Sequence, residues 1–384
     1  MKACGVIVEY NPFHNGHRYH LQQAREQTGA DVVVAVMSGN FLQRGEPAIV
    51  DKWTRAEMAL LQGADLVIEL PFAYAVQSAD YFAVGAVKLL QALQVESLVF
   101  GTDVKETVDY QGFGAFVANH QAEIDTRYQA MRNNGQSYPQ QMTALFRELL
   151  GLPLDFSSPN HILGLSYAKE NAKYSQPMTL IPIHREQAGY HDEMIKGTIA
   201  SATAIRKGLE AGTDVALTMP KTSWGLLQTQ PLISWQNFWP LLRYQLLVQT
   251  PSDLRRIYQM TEGIEYRLQA AAEKAETFAA FIEAVKTKRY TWTRLQRLCC
   301  YILGQVTENE IQGTWQNTFL HVLGFTSKGQ QFLKERKKTA DLPILTRIGR
   351  DTPHFSLDEK ISHLYQLGSP EISEQVYGRF PLQR

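Results

Sequence analysis

His14-Asn15-Gly16-His17 follows the chain's first apolar run, Ala3-Cys4-Gly5-Val6-Ile7-Val8, and precedes a stretch with helical spacing (Tyr19, Leu21, Ala24). A helix N-terminus presents unpaired N–H groups and the positive end of its dipole to an anion. Gly16 lets a phosphate or a flat base approach the backbone closely. The two imidazoles can donate hydrogen bonds to a phosphoryl group as charge builds on it. The plainer reading is a pair of loop histidines that satisfy backbone groups. Far downstream lies Ile199-Ala200-Ser201-Ala202-Thr203-Ala204-Ile205-Arg206. Ser201 and Thr203 offer hydroxyls at a helix start, and Arg206 offers a permanent fork of donors suited to phosphate. Alone, this second stretch reads better as a plain helix cap; together the two motifs point to a nucleotide phosphate site.

Other candidates are weaker. Gly101 ends a strand and would let an adenine or ribose lie over it, or simply turn the chain. Asn160 sits on the first turn of a helix, where it caps or touches a base edge. Arg185 ends a strand at the proposed site. Lys52 and Arg55 could reach phosphates or line an exposed helix face, and Asp103 could orient a metal-bound water.

These residues need a frame. The first half of the chain alternates apolar strands (2–8, 31–37, 66–70, 97–100, 178–183) with amphipathic helices (17–27, 52–62, 78–93, 158–172). Gly29 and Gly63 stop two of the helices and Ser78 and Ser201 start others. Such alternation indicates an α/β fold with a parallel sheet covered on both faces, ligands binding beyond the carboxyl ends of its strands. Residues 105–150 are more polar and helical, as in an insertion. After residue 221 no strand of similar quality is expected, and 241–248, 257–284 and 290–306 read as helix. The expected division is therefore residues 1–218, a Rossmann-like α/β domain, and 219–384, an α-helical domain.

The chain has 384 residues, 44% of them hydrophobic and 20% charged, enough for two globular domains. Cys4, Cys299 and Cys300 form no metal or disulfide spacing and read as buried free thiols, which suits a cytoplasmic location. Glu9 closes the first apolar run, so no signal peptide is expected, and no run is long enough to span a membrane. Net charge is zero, yet residues 284–350 hold twelve basic and four acidic side chains. That asymmetry suggests a polyanion-binding surface, although solvated helix faces would explain it too.

The His-x-Gly-His loop and the Ser201–Arg206 stretch resemble the two signatures of the HxGH nucleotidyltransferase superfamily, with Ala202 in place of the second signature's second serine. A narrower resemblance rests on Glu9-Tyr10-Asn11-Pro12-Phe13-His14-Asn15-Gly16-His17, the run from Met37 to Ala48 (Met-Ser-Gly-Asn-Phe-Leu-Gln-Arg-Gly-Glu-Pro-Ala), Ser158-Pro159-Asn160, and Lys288-Arg289-Tyr290-Thr291-Trp292-Thr293-Arg294. These are similar to the bacterial tRNA(Met) cytidine acetate ligase family. The resemblance implies activation of acetate by ATP to acetyl-adenylate, then acetylation of the exocyclic amine of the wobble cytidine in elongator tRNA(Met). It implies ATP contacts from Ile7, Val8, Glu9, Tyr10, Asn11, Pro12, Phe13, His14, Asn15, Gly16, His17, Arg18, Tyr19 and His20, and from Gly101, Asn160 and Arg185.

On this reading His14 and His17 hold the phosphates, while Arg206, Ser201 and Thr203 hold the departing pyrophosphate. Mg²⁺ is expected to bridge phosphate oxygens through substrate and waters, with no protein residue assigned to a metal. Lys288, Arg289, Arg294 and Arg297 would follow tRNA phosphates, with Tyr290 and Trp292 either stacking a base or packing helices. No stable protein partner is expected. Rival readings are a small-molecule adenylyltransferase of coenzyme biosynthesis and a non-catalytic nucleotide- or RNA-binding adaptor.

Overall fold

The computed structural model describes residues 1–104, 108–131, 138–150, 158–184, 197–261 and 263–384. Eight strands form one sheet: β1 (Ala3–Val8), β2 (Val32–Ser38), β3 (Leu66–Leu70), β4 (Ser97–Thr102), β5 (Thr179–His184), β6 (Leu320–Phe325), β7 (Ile344–Leu345) and β8 (Leu382–Gln383). The order is β5-β4-β1-β2-β3-β6-β7, with β8 also paired to β6. β1 to β5 are mutually parallel, and β6 runs antiparallel to β3.

The alternation along β2 explains the layers. Val32, Val34 and Val36 enter one core with the helix Ala79–Ala92, while Val33, Ala35 and Met37 enter another with the helices Asn15–Thr28 and Lys52–Leu61. A strand buried on both faces needs apolar side chains in both registers, and all seven residues of β2 are buried. The α/β expectation therefore holds. The helices Tyr110–Met131 and Tyr138–Leu150 fall within the expected insertion.

The expectation for the tail needs correction. β6 is buried at all six positions and joins the sheet. His321 and Gly324 break its apolar run in sequence, but each has a local reason. The His321 ring meets a carboxylate in the core, and a side chain at position 324 would collide with Leu60. The expected helix over 257–284 is two helices, Ile264–Lys274 and Phe278–Val285, the second capped by Thr277 accepting from Ala280 N. With the helices Trp235–Val248 and Trp292–Leu303 they enclose a separate apolar core.

Where this helical region meets the sheet, four titratable groups are buried together. Lys52 Nζ donates to both Glu69 oxygens at 2.8 and 2.9 Å and to Ser362 Oγ at 3.2 Å. His321 Nδ1 meets Glu69 Oε2 at 2.6 Å. Burial pushes the Glu69 carboxyl up, but the Lys52 charge and the His321 ring pull it down to about 2. Asp358 accepts from Phe72 N at 2.8 Å, and its second oxygen has no hydrogen-bond partner. Burial and the Glu69 charge raise its carboxyl to about 7.

An acid protonated in the fold but ionised in the unfolded chain loses stability as pH rises between the two values, here from about 4 to about 7. Asp358→Asn removes that loss. Its stability advantage over the wild type should grow across this window and then stay level, as read by thermal unfolding at a series of pH values. Parallel pH profiles for the two proteins would show that Asp358 is ionised in the fold.

Candidate active site

β1 has β2 on one side and β4 on the other, so the strand order reverses between β1 and β4. In open parallel sheets the crevice outside the strand ends at this reversal receives ligands. Two predicted segments converge there: the loop after β1, and Gly101-Thr102-Asp103 at the tip of β4. Tyr10 takes a left-handed conformation (φ 53°) and turns the chain into the loop. Ile7, Val8, Pro12 and Phe13 pack in or beside the core, while Arg18 and Tyr19 are exposed and His20 is half-buried.

His14 is the N-cap of the helix Asn15–Thr28. Its Nδ1 accepts from Gly16 N at 3.1 Å, and His17 Nδ1 accepts from His14 N at 3.3 Å. The rings stack at 3.7 Å between centroids. This is a reciprocal capping box made of imidazoles. A neutral ring whose Nδ1 accepts carries its proton on Nε2, so the cap sets both rings as Nε2–H donors. Gly16 is required here because a Cβ would sit 2.9 Å from His14 Cε1. Asn15 Nδ2 donates to Thr198 O (2.8 Å) and Leu217 O (2.9 Å), tying the loop to the second motif.

That second motif lies against the first. Ser201 caps the helix Ala202–Glu210, its Oγ accepting from Ala204 N at 3.1 Å, and Thr203 is exposed. Arg206 Nη1 donates to Asn11 O at 2.8 Å, and its Nη2 pairs with Glu46 at 3.0 Å. Arg206 is thus anchored to the His14 loop from nearly two hundred residues away. At the tip of β4, Asp103 Oδ2 accepts from Asn160 Nδ2 (2.7 Å) and Ser158 Oγ (3.1 Å). Asp103 therefore fixes the helix Pro159–Asn171 and the Asn160 side chain at the crevice. Arg185 lies outside the described residues.

Lys52 and Arg55 differ from expectation. Both are fully buried. Arg55 donates to the carbonyls of Glu9, Ser38, Gly39 and Val50, so it rivets the ends of β1 and β2 from inside the core. Lys52 belongs to the buried charge cluster. Their signal was present: Asp51 caps this helix through Trp53 N and Thr54 N, and the charges follow immediately, but a helix buried on nearly every side is not visible in a sequence. Glu46, which holds Arg206, was not singled out, although it lies within the Met37–Ala48 run.

In the basic stretch Lys288, Arg289 and Trp292 are exposed. Arg294 lies 4.3 Å over the Tyr290 ring and donates to Arg289 O at 3.2 Å. Tyr290 itself is buried, its hydroxyl donating to Thr261 O at 2.9 Å, which favours helix packing for that ring. Arg297 is half-buried and donates to Gln43 O at 3.3 Å. All three cysteines are free and buried. No helix among the described residues is long and apolar enough to cross a membrane.

Comparison with known proteins agrees with this geometry. The family described as HIGH nucleotidyl transferase matches residues 1–379. The tRNA(Met) cytidine acetate ligase of Streptococcus agalactiae serotype Ia is 45% identical over 381 residues, covering 99% of this chain and 97% of that one. The ligase of the same name from Latilactobacillus sakei is 42% identical over 372 residues, with 95% and 93% covered. Thermotoga maritima TmcAL in its apo form aligns with a TM-score of 0.91 at 31% identity, over 100% of this chain and 99% of that one. The same protein bound with alpha-thio ATP gives 0.88, at the same identity and coverage. A paired-imidazole loop at the strand-order reversal, its downstream arginine partner and similarity along the whole chain agree: the chain belongs to the HIGH nucleotidyl transferase family and, within it, to the tRNA(Met) cytidine acetate ligases.

Proposed function

We propose that this protein activates acetate with ATP and transfers the acetyl group to the wobble cytidine of elongator tRNA(Met). The observation that carries the reading is the stacked His14–His17 pair, capped so that both Nε2–H groups are donors, with Arg206 bonded to the same loop. An acetate oxygen attacks the α-phosphorus, the bond to the pyrophosphate oxygen breaks, and acetyl-adenylate forms. This step needs positioning and charge stabilisation more than covalent help. His14 and His17 donate to the phosphates as charge shifts. Arg206 takes the departing pyrophosphate, beside the helix start formed by Ser201 and Thr203. Asn160, held by Asp103, and Gly101 border the nucleoside. The cytidine N4 then attacks the acetyl carbonyl, AMP leaves and the amine loses a proton. The base must be unstacked to reach the crevice.

Among the described residues no group of three or more His, Cys, Asp or Glu side chains is placed to hold a metal. Mg²⁺ would arrive with the triphosphate, held by phosphate oxygens and waters. Residues 1–218, with 105–150 inserted, carry the adenylation chemistry. Residues 219–384 offer the tRNA surface and also lend β6, β7 and β8 to the sheet. Buried free thiols suit a reducing cytoplasm.

The test is acetate-dependent pyrophosphate release from ATP, with and without tRNA, followed by nucleoside analysis of the RNA. N4-acetylcytidine is expected in elongator tRNA(Met). Turnover only with a phosphorylated small molecule would instead indicate coenzyme synthesis, and ATP binding without turnover an adaptor. For the RNA surface, Lys288, Arg289 and Arg294 replaced together by alanine should weaken tRNA binding and lower its salt slope by about 3. Unchanged binding would move the RNA surface elsewhere.

A further inference from the structure

Residues 41–49 run between the His14 loop and the helical region and are bonded to both. On the loop side, Gln43 N donates to Glu9 Oε1 at 2.7 Å and Ile49 N to Asn11 Oδ1 at 2.7 Å. Glu46 pairs with Arg206, whose other nitrogen holds Asn11 O. On the helical side, Gly45 O accepts from Trp235 Nε1 at 2.8 Å and from Cys300 Sγ at 3.3 Å, and Gln43 O accepts from Arg297. Gly45 has φ +76°, and a Cβ there would come within 2.3 Å of Arg297 N. The turn therefore lies directly on the backbone of the helix Trp292–Leu303. Glu46 is partly exposed, its side chain 28% accessible, and its backbone carbonyl closes the turn by accepting from Leu42 N at 2.9 Å.

We propose that Trp235 and Arg297 are positioning residues for the adenylation step: they hold the Gln43–Gly45 turn on the helical region, and the turn holds Glu46, Arg206 and the His14 loop at the phosphate site. Arg297 is then spent on the turn and does not follow tRNA phosphates, although it lies in the basic stretch. Arg206 has two acceptors, one on the loop and one on the turn, so a turn that drifts takes the guanidinium with it. A displacement of about 1 Å at a reacting centre can cost a hundredfold in rate. The inference rests on the reading of His14, His17 and Arg206 as phosphate ligands.

Trp235→Phe removes one N–H donor and keeps a ring to stack on Phe278, now at 4.3 Å from the indole. Trp239→Phe is the control: Trp239 Nε1 donates to Glu276 O at 3.0 Å from the same helix and does not touch the turn. Trp235→Phe and Arg297→Met should each lower kcat/KM for ATP in tRNA-free, acetate-dependent ATP–pyrophosphate exchange by about tenfold. Amide hydrogen exchange at Leu42 and Gly45 should accelerate, and the salt slope of tRNA binding should not change. Arg297→Lys, which can still donate to Gln43 O, should recover most of the activity, and Trp239→Phe should match the wild type throughout.

Wild-type exchange in Trp235→Phe and Arg297→Met, or an equal loss in Trp239→Phe, overturns the proposal. A reduced salt slope in Arg297→Met returns that residue to the RNA surface and overturns its part. If the wild type itself shows no ATP–pyrophosphate exchange, the proposed function fails; amide protection of the turn, read without turnover, still decides whether Trp235 and Arg297 hold it.

Discussion

Replacing His17 by alanine should lower acetate-dependent ATP–pyrophosphate exchange by about a hundred- to a thousandfold, the usual loss when a donor to developing charge is removed. Affinity for tRNA should stay close to wild type, because the basic stretch lies on other elements. The alanine variant removes two things at once: the Nε2–H donor and the acceptor for His14 N at 3.3 Å. His17→Gln separates them. A glutamine at the third position of a capping box can accept from the cap's own N–H, so this variant keeps the helix start and lacks only the imidazole. Equal inactivity in both variants assigns the loss to the ring. Full activity in His17→Gln would make His17 a cap alone, and full activity in His17→Ala would remove it from the site.

Replacing Lys52 by methionine should destabilise the protein by about 3–5 kcal/mol, the range for removing one partner of a buried ion pair. Both side chains are sequestered, at 0% and 6% accessible, so the Glu69 carboxylate cannot turn to water. The remaining side-chain hydrogen-bond partner among the described residues is His321, whose ring burial holds below its ordinary value and whose protonation the Lys52 charge also opposes. Without Lys52 that opposition is gone, and a protonated His321 can neutralise Glu69 as pH falls. The loss in urea unfolding should therefore be larger at pH 8 than at pH 5.5. A cost under about 1 kcal/mol at both pH values would show that the pair is not a net constraint on the junction.

Local pattern made much of this protein legible. β2 is a run of apolar residues because both its faces are covered. His14 caps a helix because its side chain reaches an N–H two residues away. Gly29 ends that helix at φ 61° because only a short range of chain is involved. The five parallel strands, the His-x-Gly-His loop and the Ser201 cap are all of this kind.

Other features depend on residues far apart in the chain. β6 reads as an interrupted apolar run until Glu69, 252 residues earlier, accounts for His321. Lys52 and Arg55 look like surface charges until Ser362 and the carbonyls at the ends of β1 and β2 surround them. Arg297 resembles its basic neighbours until Gln43 O, 254 residues away, takes its donor. Sequence alone determined which residues could cap, line a strand or meet a phosphate, because those properties belong to a side chain and its near neighbours. Tertiary structure alone decided which charges face solvent and which are consumed inside, because a partner supplied across the fold leaves no periodic trace in the chain.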